Sequence, residues 1–195
     1  MEIPPQIPRW GNLFTSWIGK SVLHLSGWRL DVKLPNRPKM VLIYAPHTSN
    51  WDFVFGLAAI LALQVRVHWF GKHTIFRPPF RNLLIKLGGI PIDRSAAVGV
   101  VQQTTQQFAE KEQLLIGLAP EGTRSLAPKW KSGFYQIAHA AGVPIQISYL
   151  DYKKKIVSLG PLIETSGDYA ADLEKIQSFY RGINPCIPEK FAAQG

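Results

Sequence analysis

Hydrophobic residues fall along this chain in short runs of two kinds. The runs "KMVLIYA", "VRVHWFG", "LLIGLA", "VPIQISYLDY" and "KIVSLGPLI" are rich in branched side chains and poor in charge. That composition predicts buried strands. "GIPIDRS" predicts a shorter strand that runs into a polar loop. Between the strands lie stretches with helical character. One begins near Asn50 and runs to about Leu63; "RPPFRNLLIKLGG" is a prolyl turn, a short helix and a glycine stop. "AVGVVQQTTQQFAEKEQ" places Val101, Thr105, Phe108 and Ala109 near one face. "GFYQIAHAAG" ends on Gly142, a C-cap, and "DYAADLEKIQSFYRG" supplies a last helix. Strands alternating with helices predict an α/β sheet flanked by helices. The last two strands are expected to form a hairpin through "DYKKK".

The N-terminal stretch 9–28, "RWGNLFTSWIGKSVLHLSGW", has a different pattern. Trp10, Leu13, Phe14, Trp17, Ile18, Leu25 and Trp28 fall on one helical stripe, with Asn12, Thr15, Ser16, Gly19 and Ser26 opposite. Three tryptophans on a stripe suit a water–lipid boundary, because indole joins an apolar body to a polar N–H. The same stripe also suits a helix packed on a domain core. We therefore divide the chain into an N-terminal amphipathic segment, residues 1–33, and one domain, residues 34–195.

Charge narrows the partners. Lys and Arg exceed Asp and Glu by 22 − 13 = +9. A basic surface favours anionic lipid, phosphorylated ligands or nucleic acid. The basic residues are scattered and no nucleic-acid reader motif occurs, which argues against nucleic acid. No run approaches the roughly 20 apolar residues of a spanning helix, and no secretory signal is visible. The single cysteine, Cys186, forbids an intrachain disulfide and fits a reducing compartment. The expectation is a cytoplasmic protein, peripheral on a membrane surface. Histidine and cysteine spacings predict no metal site.

Two seams carry the chemistry. "VLIYAPHTS" and "LLIGLAPEGTRS" share one plan: a buried strand, Ala-Pro, then polar residues. If the strands are parallel neighbours, both seams lie at the carboxyl ends where α/β sheets bind ligands. At the first seam, His47 and Asp52 are five residues apart, about 140° apart on a regular helix. They meet only if His47 is in the loop and Asp52 in the first helical turn. Thr48, Ser49 and Asn50 are all capable N-caps there. A carboxylate on Nδ1 leaves Nε2 free as a base. The same spacing also describes an N-cap cluster with an incidental histidine. At the second seam, Gly122 permits close backbone approach, Thr123 and Ser125 bring hydroxyls, and Arg124 brings a planar fork for phosphate.

These blocks resemble the glycerolipid acyltransferases. "HTSNWD" is similar to their H-x4-D pattern and "PEGTRS" to their Pro-Glu-Gly-Thr-Arg-Ser block. "GGIPIDRS" and "GVPIQIS" resemble their intermediate and late segments, so that the likeness spans about residues 40–150. Pro46 stands where many members carry asparagine, and Ala119 where phenylalanine is usual. The resemblance is to lysophosphatidic acid acyltransferases in particular, and it implies their sheet flanked by helices. It implies His47 as general base, Asp52 as its orienting partner, and direct attack of a hydroxyl on an acyl thioester. It also implies Glu121, Gly122, Thr123 and Arg124 around the acceptor's glycerol phosphate, with Lys72 and Arg94 as further basic candidates. The implied partners are a lysophospholipid acceptor, acyl-CoA or acyl carrier protein as cosubstrate, and an anionic membrane surface. No further cofactor is implied. Two other readings remain at this point: an acyl-thioester hydrolase using Ser49 or Ser125, and a non-catalytic anionic-lipid binder.

Overall fold

The computed structural model describes residues 3–92 and 97–192 of the 195-residue chain. Seven strands form one sheet: β1 (Arg29–Asp31), β2 (Lys39–Tyr44), β3 (His68–Lys72), β4 (Gly89–Ile92), β5 (Leu114–Leu118), β6 (Ile145–Asp151) and β7 (Ile156–Ile163). Their spatial order is β1-β7-β6-β2-β5-β3-β4. Every pairing is parallel except β6 with β7, which is the expected hairpin. The helices are α1 (Leu13–Leu25), α2 (Asn50–Leu63), α3 (Arg81–Lys86), α4 (Ala97–Glu110), α5 (Gly133–Ala141) and α6 (Tyr169–Tyr180).

Alternation along the central strands sets the two sides of the sheet. Val41 and Ile43 of β2 join Ile116 of β5 and Ile145 and Ile147 of β6 in a core closed by Phe108, Phe134, Ile176 and Tyr180. On α4 the buried residue beside Phe108 is Thr104, whose hydroxyl bonds the Val100 carbonyl; Ala109 is exposed, contrary to the expected face. Met40, Leu115 and Leu42 face the other side, under α2. The N-terminal segment joins this packing. Ile7 is buried with Met40, and β1 adds a strand beside β7.

Helix α1 departs from the expected stripe. Trp28 is buried against Phe55 and Tyr152, and Trp10 lies under the Arg66 guanidinium. Leu13, Phe14, Trp17 and Leu25 remain exposed, at 84, 66, 63 and 86%. The small residues form the buried face. Ser16 donates to the Ala62 carbonyl at 2.9 Å. A Cβ on Gly19 would stand 2.4 Å from the Ala58 carbonyl oxygen, so only glycine permits this approach. The α1–α2 pair thus approaches closely through Ser16, Gly19, Ala58 and Ala62, with Leu23 and Phe55 buried as well, and leaves Leu13, Phe14, Trp17 and Leu25 outward.

Candidate active site

β2 and β5 are parallel neighbours, with Ile43 opposite Leu118, so the two Ala-Pro seams lie side by side. The Glu121 carboxylate accepts the His47 backbone N–H through both oxygens, at 3.0 and 3.1 Å. Tyr180 braces the same strand ends by donating to the Ile43 and Ser148 carbonyls.

The loop from Pro46 enters α2 through a capping box. Ser49 is the N-cap, and Asp52 returns to the Ser49 N–H from the third helical position. Asp52 Oδ2 accepts from Thr48 N and Ser49 N, both at 2.7 Å, and its other oxygen accepts from the Tyr152 hydroxyl at 2.6 Å. His47 Nδ1 lies 3.3 Å from Asp52 Oδ2. It falls short of hydrogen-bond geometry there and has no other partner among the described residues. The aspartate thus caps the helix, as the N-cap reading of this seam expects, and also stands beside the imidazole. Ser49 Oγ is occupied by the Trp51 N–H and makes no bond to His47.

Electrostatics separates the groups around His47. Burial pushes the Glu121 carboxyl up to about 8, reinforced by Asp52 and opposed by the His47 N–H. Burial, then the bond to Asp52, holds the Tyr152 phenol far above its ordinary value, so it remains a donor. Tyr44 is likewise raised, chiefly by burial. Its hydroxyl has no partner and its ring meets the His47 ring edge-on at 5.7 Å.

Two cavities meet at His47. One, of about 210 Å³, runs between α2 and the sheet and is walled by residues such as Leu42, Phe53, Ile60, Trp69 and Leu150. The other, of about 760 Å³, has a basic, polar side formed by Gly122, Thr123, Arg124, Ser125 and Lys131 and an apolar wall of Phe70, Val101, Leu118 and Phe134. Gly122 has φ +68°, a left-handed conformation that favours glycine. Arg124 extends from the second seam and donates to Asn50 Oδ1 in the first turn of α2.

Of the residues expected at the site, His47, Asp52, Glu121, Gly122, Thr123 and Arg124 are brought together. Lys72 is exposed at the end of β3 and lines neither cavity. Arg94 lies outside the described residues. Three residues at the site carried no sequence signal that we used. Tyr152 reaches Asp52 from 100 positions away, just past the end of β6. Tyr44, the last residue of β2, was legible only as part of an apolar run. Lys131 faces Gly122, its Cγ 3.3 Å from where a Cβ would stand; the cluster "KWKSG" just before α5 was the available hint.

This arrangement places a histidine where two cavities meet, at the carboxyl ends of two neighbouring parallel strands. The sequence signature of the acyltransferase family matches residues 31–148, more than half of the chain, and the protein belongs to that family. In structure it is similar to the 1-acyl-sn-glycerophosphate (LPA) acyltransferase PlsC from Thermotoga maritima. The TM-score is 0.61 at 15% identity, over 87% of this chain and 77% of that one, and the likeness is one of fold. No curated protein matches the sequence significantly.

Proposed function

We propose that the protein moves a fatty acyl group from acyl-CoA or acyl carrier protein to the hydroxyl of a lysophospholipid such as 1-acylglycerol-3-phosphate. The observation that carries this reading is the position of His47, where an apolar and a basic cavity meet. The acyl chain takes the apolar cavity under α2. The acceptor's phosphate takes the basic one, held by Arg124, Lys131 and backbone N–H groups near Gly122 and the start of α5. His47 Nε2 removes the proton of the acceptor hydroxyl as its oxygen attacks the thioester carbonyl. The tetrahedral intermediate collapses, the C–S bond breaks, and the thiolate leaves with the proton held by His47. Asp52 stabilises the transient imidazolium, and Tyr152 holds Asp52 in place. Glu121 acts on the backbone of His47 and sets its height above the sheet. No acyl-enzyme and no resident cofactor enter this scheme.

The enzyme would work on the cytoplasmic surface of a membrane. The outward apolar residues of α1 support this, as does its small-residue seam with α2, the packing mode of helices in lipid. At 13 residues α1 is too short to span a bilayer, and among the described residues no helix is long and apolar enough to do so.

The test is to incubate the protein with pooled lysolipids and one isotope-labelled acyl thioester, then identify labelled lipids by mass spectrometry. Labelled phospholipid is expected, with a fall of about 10³-fold or more in folded His47→Ala. Free labelled fatty acid alone, at a rate indifferent to lysolipid, would replace transfer with hydrolysis.

A further inference from the structure

Between Asp52 and Asp93 the chain has no carboxylate, but it carries Arg66, Lys72, Arg77, Arg81 and Lys86. Arg66 is committed internally, donating to the Lys86 carbonyl at 2.8 Å and covering the Trp10 ring. The other four are exposed, and among the described residues none pairs with a carboxylate. Large apolar side chains stand among them in the open: Ile75 at 44%, Phe80 at 62%, Leu83 at 52% and Ile85 at 38%. Every residue from 77 to 83 is exposed.

This patch is joined to the apolar exterior of the α1–α2 pair. Phe76 stacks on Trp69 at 5.8 Å, and Trp69 meets Phe53 edge-on at 4.7 Å. Phe53 lies on α2 beside Trp51 and Val54, which are 59 and 39% exposed. Phe53 and Trp69 also line the apolar cavity at His47. Ring contacts thus link the α3 segment to α2 beside the cavity, and the unpaired positive charge is concentrated at the α3 end.

We propose that residues 72–86 form a second lipid-contact element, separate in sequence from α1 and selective for anionic bilayers. Phe80 and Leu83 enter the headgroup boundary, while Lys72, Arg77, Arg81 and Lys86 lie along it and meet phosphates. An acidic protein would answer the cations but not the exposed Phe80 and Leu83 that stand among them, whereas an anionic bilayer answers both, so the bilayer is the occupant the surface fits. The inference rests on the membrane-surface placement proposed above. It adds a division of labour, with α1 supplying apolar grip and the α3 segment supplying charge selection.

The test is vesicle co-sedimentation of the full chain. Vesicles of phosphatidylcholine alone are compared with vesicles containing phosphatidylglycerol, at low and high salt. Each cation near an anionic surface strengthens binding about fivefold, so Arg77→Ser with Arg81→Ser should weaken binding to mixed vesicles about 25-fold at low salt. The same variant should bind neutral vesicles like the parent. Phe80→Ser with Leu83→Ser should weaken binding to both, as should Trp17→Ser, whose effect should multiply with that of the arginine pair. Parent-like binding of the arginine variant to mixed vesicles would overturn the inference. So would salt-sensitive capture of an acidic carrier protein, lost in that variant while vesicle binding is kept. Turnover of water-soluble short-chain substrates without vesicles should be the same in the arginine variant and the parent. Failure of the parent in that assay counts against acyl transfer, while the vesicle comparison judges the lipid contact separately.

Discussion

The first seam, from Pro46 to Asp52, is closed; the second, from Pro120 to Ser125, is open. In the first, Thr48 and Asp52 are buried, and Asp52 receives two backbone N–H groups and a phenol while facing the His47 ring. Even the C-terminal tail takes part, with the Ile187 N–H donating to Thr48 Oγ1. In the second, only Pro120 and Glu121 are buried, and Thr123, Arg124 and Ser125 are exposed. The contrast fits the two different tasks proposed for the seams. A base must hold one geometry against one proton, so its support is over-determined. A phosphate reader meets a mobile headgroup and works at the end of a long, pre-organised fork.

The largest effect that separates the seams is expected from Asp52→Ala. It removes the partner of His47 and leaves two backbone donors and the Tyr152 hydroxyl without an acceptor. Each buried orphan costs about 1–3 kcal/mol. Acyl transfer should fall about 10³-fold and the melting temperature should drop clearly, read by turnover and calorimetry on one sample. A variant as stable as the parent would mean the closed seam is less tightly built than its bonds imply. Arg124→Ala comes next. Its side chain is exposed, so stability should hold while the KM for a phosphate-bearing acceptor rises about ten- to hundredfold. A loss confined to kcat would move Arg124 from acceptor binding to the chemical step.

The smallest effect concerns Glu121, which belongs to the open seam by sequence and to the closed one by contact. Its folded value of about 8 lies above its ordinary 4.5. Between those values the folded chain keeps a proton that the unfolded chain has released, so stability falls as pH rises across the window. Glu121→Gln keeps an acceptor for the His47 N–H and cannot ionise. Its melting temperature should decline less than the parent's from the acid to the alkaline side of that window. Identical pH dependence in the two proteins would remove Glu121 as the source.

Much of this was legible in the residues. Most of the alternation of strand and helix was read within a few residues, because buried parallel strands are short, branched and uncharged; the three-residue β1 was not read, and the N-terminal helix was read as 9–28 where the structure has Leu13–Leu25. Both seams were visible because proline ends a strand wherever it falls and cap residues mark where a helix begins. The closeness of His47 and Asp52 needed only the choice between loop and helix for His47. What escaped depended on distant neighbours. Tyr152 acquires its role because β6 lies beside β2, a pairing that no local pattern encodes. For α1, periodicity identified a stripe without saying which side faced protein. The answer came from Gly19 and Ser16, which allow an approach to α2 that larger residues would block. Trp28 left the stripe because the helix ends at Leu25 and the chain turns inward to start β1.

The glycine contact between α1 and α2 has a mechanical side. α2 has 14 residues, with Asp52 in its first turn and Ala58 and Ala62, seated against Gly19 and Ser16, further along. A helix of that length is about 21 Å, so a tilt of about 3° moves one end by about 1 Å. That displacement is enough to misalign a proton transfer. Where Gly19 meets the α2 backbone the contact is direct, so a push on the outer face of α1 would be carried along α2 to Asp52, and in the proposed mechanism to the base.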